Sequence, residues 1–344
     1  MSKIFIIYYH HILKGWGPDV YYKTFDREVS FLKSRYRIIT LDDVFEYISS
    51  GKLPERDCVA VTFDDGYLSN YVYAYPILKK HGVRATVFPI SSRILREETV
   101  RPSLEDYWKG KVSFRELHKT PTMAEANLKY LREGRSEDFL SVGELLRMKD
   151  VFDIGGHASV HCRVFYQEKL EDFFDGKNGH WSFLYAYEEE PQIGFPIFPS
   201  RNNIAVKRGF LRREVKDFIK SIDKEFFKQK GWKEVLREEL SKNFTSLLCF
   251  ETEEEKEKRV YEELQSSKRD LESLLGVRIY HFAYPFGHYD DKLVEITSRI
   301  FRTGFTTEKG VVKSNTSLLQ IPRIAVAKDI GSFIGILLKV KFIY

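Results

Sequence analysis

Residues Val59 to Phe63 form an apolar, β-type run that stops at two neighbouring acids and a glycine, Asp64-Asp65-Gly66. A buried strand can end in adjacent carboxylates only where something compensates them, because like charges raise each other's pKa unless a cation neutralises them. Downstream, His157-Ala158-Ser159-Val160-His161 offers two imidazoles four residues apart. Neutral imidazoles are common zinc ligands. One carboxylate and two imidazoles suit a metal ion, which leaves the second carboxylate free as a base. That donor set points to hydrolytic chemistry. Gly155-Gly156 argues against a helix under the histidine pair and places it on a loop leaving a strand at Asp153-Ile154.

The order of elements is strand then helix, repeated, as in parallel-sheet proteins. A first strand covers Ser2 to Tyr9, and helices are predicted over Tyr22–Ser34 and from Thr40 to Gly51, the second opening on a capping-box pattern. Tyr71, Tyr75 and Leu78 share a helical stripe that Gly82 ends. Ala85–Ile90 reads as a strand, and Ser141–Lys149 as a helix before Phe152–Ile154. Later come a long helix over Glu253–Leu275 with Gly276 as its cap, a strand at Ile279–Ala283, a helix at Asp291–Ile300 and a strand at Ile321–Val326. Two stretches break the rhythm, about 93–140 and about 162–250. Both read as insertions on loops, the second largely helical over Leu211–Phe227 and Trp232–Leu240 with a rigid Phe195–Pro199 loop. The whole, residues 1–344, reads as one domain carrying these two insertions.

Composition narrows the class. Hydrophobic residues make up 43% of the 344, enough for a substantial core, and aromatics make up 15%, which suits either sugar-stacking walls or a well-filled interior. A net charge of +5 gives no reason to expect nucleic acid. Cys58, Cys162 and Cys249 are odd in number and scattered, so a disulfide framework is not expected and a reducing, cytoplasmic setting is. The segment from Phe333 to Tyr344 is too short to span a membrane. It reads as a final strand or helix on the core, with peripheral membrane contact as the alternative.

These residues resemble the polysaccharide deacetylases of carbohydrate esterase family four, the NodB-type proteins. Thr62-Phe63-Asp64-Asp65-Gly66 reproduces the family's first motif, and His157 and His161 match its second, with Ala158 where a hydroxyl residue is usual. Ala283-Tyr284-Pro285-Phe286-Gly287 falls in register with the third motif, except that Ala283 replaces its arginine; Arg323, in the late strand, is a candidate replacement. The resemblance implies a distorted (β/α) barrel of about seven strands with helical insertions, and a site at the strands' carboxyl ends. It implies Asp64 as general base, Asp65, His157 and His161 as ligands of a divalent metal (zinc in the first place), and the Phe286 N–H as an oxyanion donor.

The family's last motif, which supplies a histidine acid, has no counterpart, since no histidine follows His288. A branch of the family that shares Tyr-Pro-Phe-Gly opens with Tyr-His-x-[Val/Ile], and Tyr9-His10-His11-Ile12 fits that pattern. His10 is therefore the expected proton donor, with His180 and His288 as competitors. His11 should point the other way, because side chains alternate along a strand. Cys162 is given no part. The implied activity is metal-dependent N-deacetylation of an acetamido sugar, on a glycan precursor in surface polysaccharide (O-antigen or capsule-like) biosynthesis. Hydrolysis of another amide (formamido or cyclic), or glycan binding by an impaired site, are the alternatives.

Overall fold

The computed structural model describes residues 2–343. Seven parallel strands among the described residues form a ring: β1 (Ile4–Tyr9), β2 (Cys58–Asp65), β3 (Ala85–Pro89), β4 (Phe152–Ile154), β5 (His281–Ala283), β6 (Thr303–Phe305) and β7 (Ile324–Ala325). Continuous ladders join β7-β1-β2-β3-β4 and, separately, β5-β6. The two groups meet only through single parallel bridges, Gly156 with Phe282 and Phe305 with Ile321. Those two thin seams are what distort the barrel. The late strand is shorter than its predicted span because Pro322, lacking an N–H, interrupts the ladder between Ile321 and Ile324.

Side-chain alternation sorts the strands into two faces. Phe5, Ile7, Tyr9, Val59, Val61 and Phe63 face outward into the layer under the helices, where Phe25, Val29 and Leu32 of α1 (Tyr22–Arg35) meet them. Ile4, Ile6, Cys58, Ala60, Phe88, Ala283 and Phe305 form a second cluster inside the ring. The Phe88 and Phe305 rings, on non-neighbouring strands, lie 5.8 Å apart across it. Continued toward the strands' carboxyl ends, the inward rows become polar: Tyr8 and His10 follow Ile4 and Ile6, and Thr62 and Asp64 follow Cys58 and Ala60.

The helices follow their sequence signals. In α2 (Leu41–Ser50), Thr40 accepts from the Asp43 N–H at 3.1 Å and Asp43 accepts from the Thr40 N–H at 2.8 Å, the expected capping box. The Asn70–Ala74 turn runs into α3 (Tyr75–His81), followed by α4 (Val142–Arg147). Helix α5 (Glu253–Leu275) ends at Gly276 as predicted, burying Val260, Leu264 and Leu271. After α6 (Asp291–Ser298), α7 (Ile330–Ile343) packs Phe333, Leu337 and Val340 on the core; Tyr344 lies outside the described residues. No helix among the described residues is long and apolar enough to cross a membrane.

The stretch from 163 to 250 holds the expected helices, at Arg213–Ser221 and Trp232–Asn243, but it is not helical alone. Ser200–Asn202, Arg163–Phe165, Gly209–Leu211 and Leu248–Phe250 form a four-stranded antiparallel sheet. The Phe195–Pro199 segment contributes a strand, Pro196–Ile197, paired with Asp172–Phe173. Strands of two or three residues are too short to show a period of two, so the sequence pattern could not reveal them. Phe165, Phe173, Tyr187, Phe195, Phe198 and Leu236 belong to a separate apolar cluster that this stretch builds from its own residues.

Candidate active site

Asp64 and Asp65 end β2. Asp64 stays on the inward row, whereas strict alternation would turn Asp65 outward. Its φ of 69° breaks that alternation and aims the carboxylate at the histidine loop. A non-glycine residue at positive φ is uncommon and costs energy. Gly66 completes the turn at φ 74°, where a Cβ would lie 2.7 Å from that of Pro89, so only glycine lets the chain pass.

His157 and His161 sit on the loop leaving β4, as predicted, with Ala158 at φ 57° between them. Their Nε2 atoms lie 3.2 and 3.3 Å from Asp65 Oδ1, and the three donors fall within 4.8 Å of one another. All three residues are buried. His157 Nδ1 donates to the Ala283 carbonyl at 2.8 Å, so in the neutral ring the Nε2 lone pair faces the carboxylate. Burial pushes the His161 pKa down to about 3 against the pull of Asp65, which keeps that ring neutral. Asp65 Oδ1 has no hydrogen-bond partner. Acceptors converging on a buried, unsatisfied carboxylate oxygen are unfavourable unless a cation lies among them. The residues present therefore fit a divalent metal, and mixed His/carboxylate donors suit zinc. Cys162 is buried next to His161 but lies outside this group, and burial raises its thiol pKa to about 12.

Asp64 lies beside the group with a different partner. Arg323 grips it with a two-pronged fork, Nη1 to Oδ1 at 2.7 Å and Nη2 to Oδ2 at 2.8 Å. The guanidinium is fully buried, donates from Nε to the Thr306 carbonyl at 2.9 Å and lies 4.6 Å from the Tyr8 ring. Burial alone would raise the Asp64 pKa. The charge of Arg323, together with its hydrogen bonds, outweighs it and holds the carboxyl below its usual value. The Ala283 backbone carbonyl orients His157, while Arg323 reaches Asp64 from the position immediately before β7.

A cavity of about 370 Å³ opens above these groups. His10 and Phe286 both line it. Phe286, at φ 57°, lays its ring 4.3 Å from that of His161. A side chain at the following Gly287 would run into Thr307. His11 turns away, stacked on Tyr67 at 3.8 Å and hydrogen-bonded to Ser69 at 3.2 Å, in accord with alternation. Of the competing histidines, His180 lines the cavity, its pKa lowered to about 4 by burial, whereas His288 receives the Asn202 N–H at 3.4 Å and does not line it.

Several contributors escaped the sequence reading. Trp181 lies parallel to His161 at 6.5 Å and lines the cavity, as do Tyr67, Met123 and Asn127. Asn202 holds the Phe286 turn by donating to the Pro285 carbonyl at 3.0 Å. Half-buried Glu263 accepts the Val160 N–H at 2.9 Å and so anchors the histidine loop to α5. None carries a local signal, because each acts through a partner at least 60 positions away or from within an insertion.

The family model for polysaccharide deacetylases matches residues 51–124. The YxkH protein of Bacillus subtilis (strain 168), named for the same family, is 38% identical over 94 residues, which is 27% of this chain and 34% of that protein. A poly-β-1,6-N-acetyl-D-glucosamine N-deacetylase of Staphylococcus aureus (strain MSSA476) is 38% identical over 74 residues, 21% of this chain and 25% of the relative. The matched stretches thus span about a third or less of these relatives. Across nearly the whole length, the fold is similar to that of the Streptococcus pyogenes deacetylase PplD, solved with acetate: TM-score 0.56, 18% identity, 98% of each chain covered. Over residues 51–124 the chain is thus similar to the polysaccharide deacetylases, and its overall fold is the NodB-type barrel of the solved deacetylases.

Proposed function

We propose that this protein is a metal-dependent hydrolytic N-deacetylase of an acetamido sugar in surface polysaccharide biosynthesis. The observation that carries this reading is the unsatisfied Asp65 Oδ1 facing two imidazole nitrogens, next to a second carboxylate that Arg323 holds ionised. The names of the Staphylococcus and Streptococcus relatives agree with it, and the three free cysteines suit a cytoplasmic setting.

In this reading Asp65, His157 and His161 hold the ion. A divalent ion there supplies Lewis acidity toward an amide carbonyl and lowers the pKa of water. Asp64 takes the proton of the attacking water, and its fork with Arg323 fixes the carboxylate's orientation while keeping it ionised. The Phe286 N–H donates to the oxygen on which negative charge develops. His10, on the inward row of β1, gives a proton to the leaving nitrogen, without which an amine is a poor leaving group. Both insertions border the cavity and would select what enters.

The test combines metal analysis with turnover. Purified protein loaded with zinc should hold one ion per chain and release acetate from a panel of free, oligomeric and nucleotide-linked acetamido sugars. Release of formate from formamido sugars instead would move the substrate class. Metal-loaded protein that binds glycans without cleaving any amide would refute the hydrolase reading.

A further inference from the structure

The two insertions are joined to each other, and this bears on how a glycan can lie in the site. Arg93, at the start of the first insertion, is buried and pairs with the Asn127 amide while donating to the His161 carbonyl at 3.0 Å. Its guanidinium also lies 5.4 Å from the Trp181 ring, which belongs to the second insertion. Asn127 donates in turn to the Tyr67 hydroxyl at 2.9 Å. Behind this row, the helices Met123–Glu133 and Phe183–Tyr187 pack together. Arg132 and Glu190 tie them by two contacts, at 2.7 and 3.2 Å. The result is a wall along one side of the cavity, lined by Tyr67, Asn127, Trp181 and Phe286 and held from behind by buried Arg93.

The other side differs. Past Tyr8 and His10 the cavity adjoins a second one of about 200 Å³, bounded by Pro18–Val20 and Ala325–Lys328 and sharing Tyr8 and His10 with the first. Among the described residues, those lining this second cavity all lie outside the two insertions. The main cavity, at about 370 Å³, lies near the small end of the range for ligand sites, ~300–1,000 Å³, and suits one sugar ring with its acetamido group.

We infer that the site takes a terminal or single acetamido-sugar unit, with the remainder of the molecule leaving over His10, and that it excludes internal units of a polymer. A chain running through the site would have to pass the wall, whose polar members are already hydrogen-bonded to one another. Trp181 supplies an apolar face on which the terminal ring can stack. This inference rests on the deacetylase reading for its turnover test, so a binding measurement accompanies it.

The probe is a reducing-end-labelled pentamer of β-1,6-linked N-acetylglucosamine. With zinc-loaded protein, sequencing of the product by mass spectrometry should place the free amine on a terminal unit only. In Arg132→Glu/Trp181→Ala protein, which opens the wall without touching the metal donors, internal amines should rise at least tenfold relative to terminal ones. Saturation-transfer NMR with Asp64→Asn protein should show the terminal unit receiving the strongest transfer. Internal deacetylation by the unaltered chain would overturn end-on binding while sustaining the hydrolase reading. Terminal-unit binding without acetate release would do the reverse. Uniform transfer along the pentamer would overturn end-on binding whatever the turnover.

Discussion

The barrel and the 163–250 excursion are built on opposite plans. The barrel rests on long-range parallel ladders, and every residue of β2 is buried, so the polar ends of its inward rows are locked by packing on all sides. Arg323 shows the consequence: it is fully buried, bonded to Asp64, Thr62 and Thr306, and backed by Tyr8. The excursion instead joins strands of two or three residues around its own aromatic cluster and offers the cavity only half-buried side chains, His180 and Trp181. Groups that must be held to a fraction of an ångström sit on the first plan, and groups that need only meet a substrate's outline sit on the second. In such an arrangement the excursion can change without disturbing the Asp65, His157 and His161 group.

The largest expected effect tests the barrel side. Asp65→Asn or His157→Ala should abolish stoichiometric zinc binding in calorimetry, whereas Trp181→Ala should bind as the parent does; equal losses would erase the distinction. Next, His10→Ala should retain zinc and lose ~10²–10⁴-fold in acetate release, as expected for a missing general acid. His180→Ala should lose less than tenfold. The opposite ranking would move the proton donor into the excursion.

Stability offers two further comparisons. Arg323→Ala leaves the Asp64 carboxylate buried without its partner and should cost ~3–5 kcal/mol in urea unfolding. Leu236→Ala, in the excursion's cluster, should cost ~2–5 kcal/mol yet leave zinc affinity unchanged. A matching fall in affinity would show that the excursion supports the donors after all.

A last comparison is a pH dependence within the barrel layer. Glu28 is fully buried against the Tyr9 hydroxyl, at 2.9 Å, and burial lifts its pKa from 4.5 to about 8. A carboxyl raised in the folded state binds a proton that the unfolded chain releases, so its contribution is intact below about pH 4.5 and is lost as pH rises toward 8. Glu28→Gln should flatten that decline in urea titrations. A decline of unchanged slope would assign it to other groups.

Local patterns determined much of this protein. The apolar run before Asp64-Asp65-Gly66, the capping boxes and the glycine stops placed the strands and helices, because each signal is read within a turn or two of the chain. The same patterns marked Asp64, Asp65, His157 and His161, and alternation separated His10 from His11. Only the tertiary structure decided how these meet. The fork between Arg323 and Asp64 links positions 259 residues apart. The turn of Asp65 out of its row depends on a positive φ, and the short antiparallel strands of the excursion carry too few residues for a period. The wall running from Tyr67 to Trp181 unites two insertions that look unrelated in sequence. Such contacts depend on which surfaces barrel closure brings together, and closure is a property of the packed chain, which no local pattern encodes.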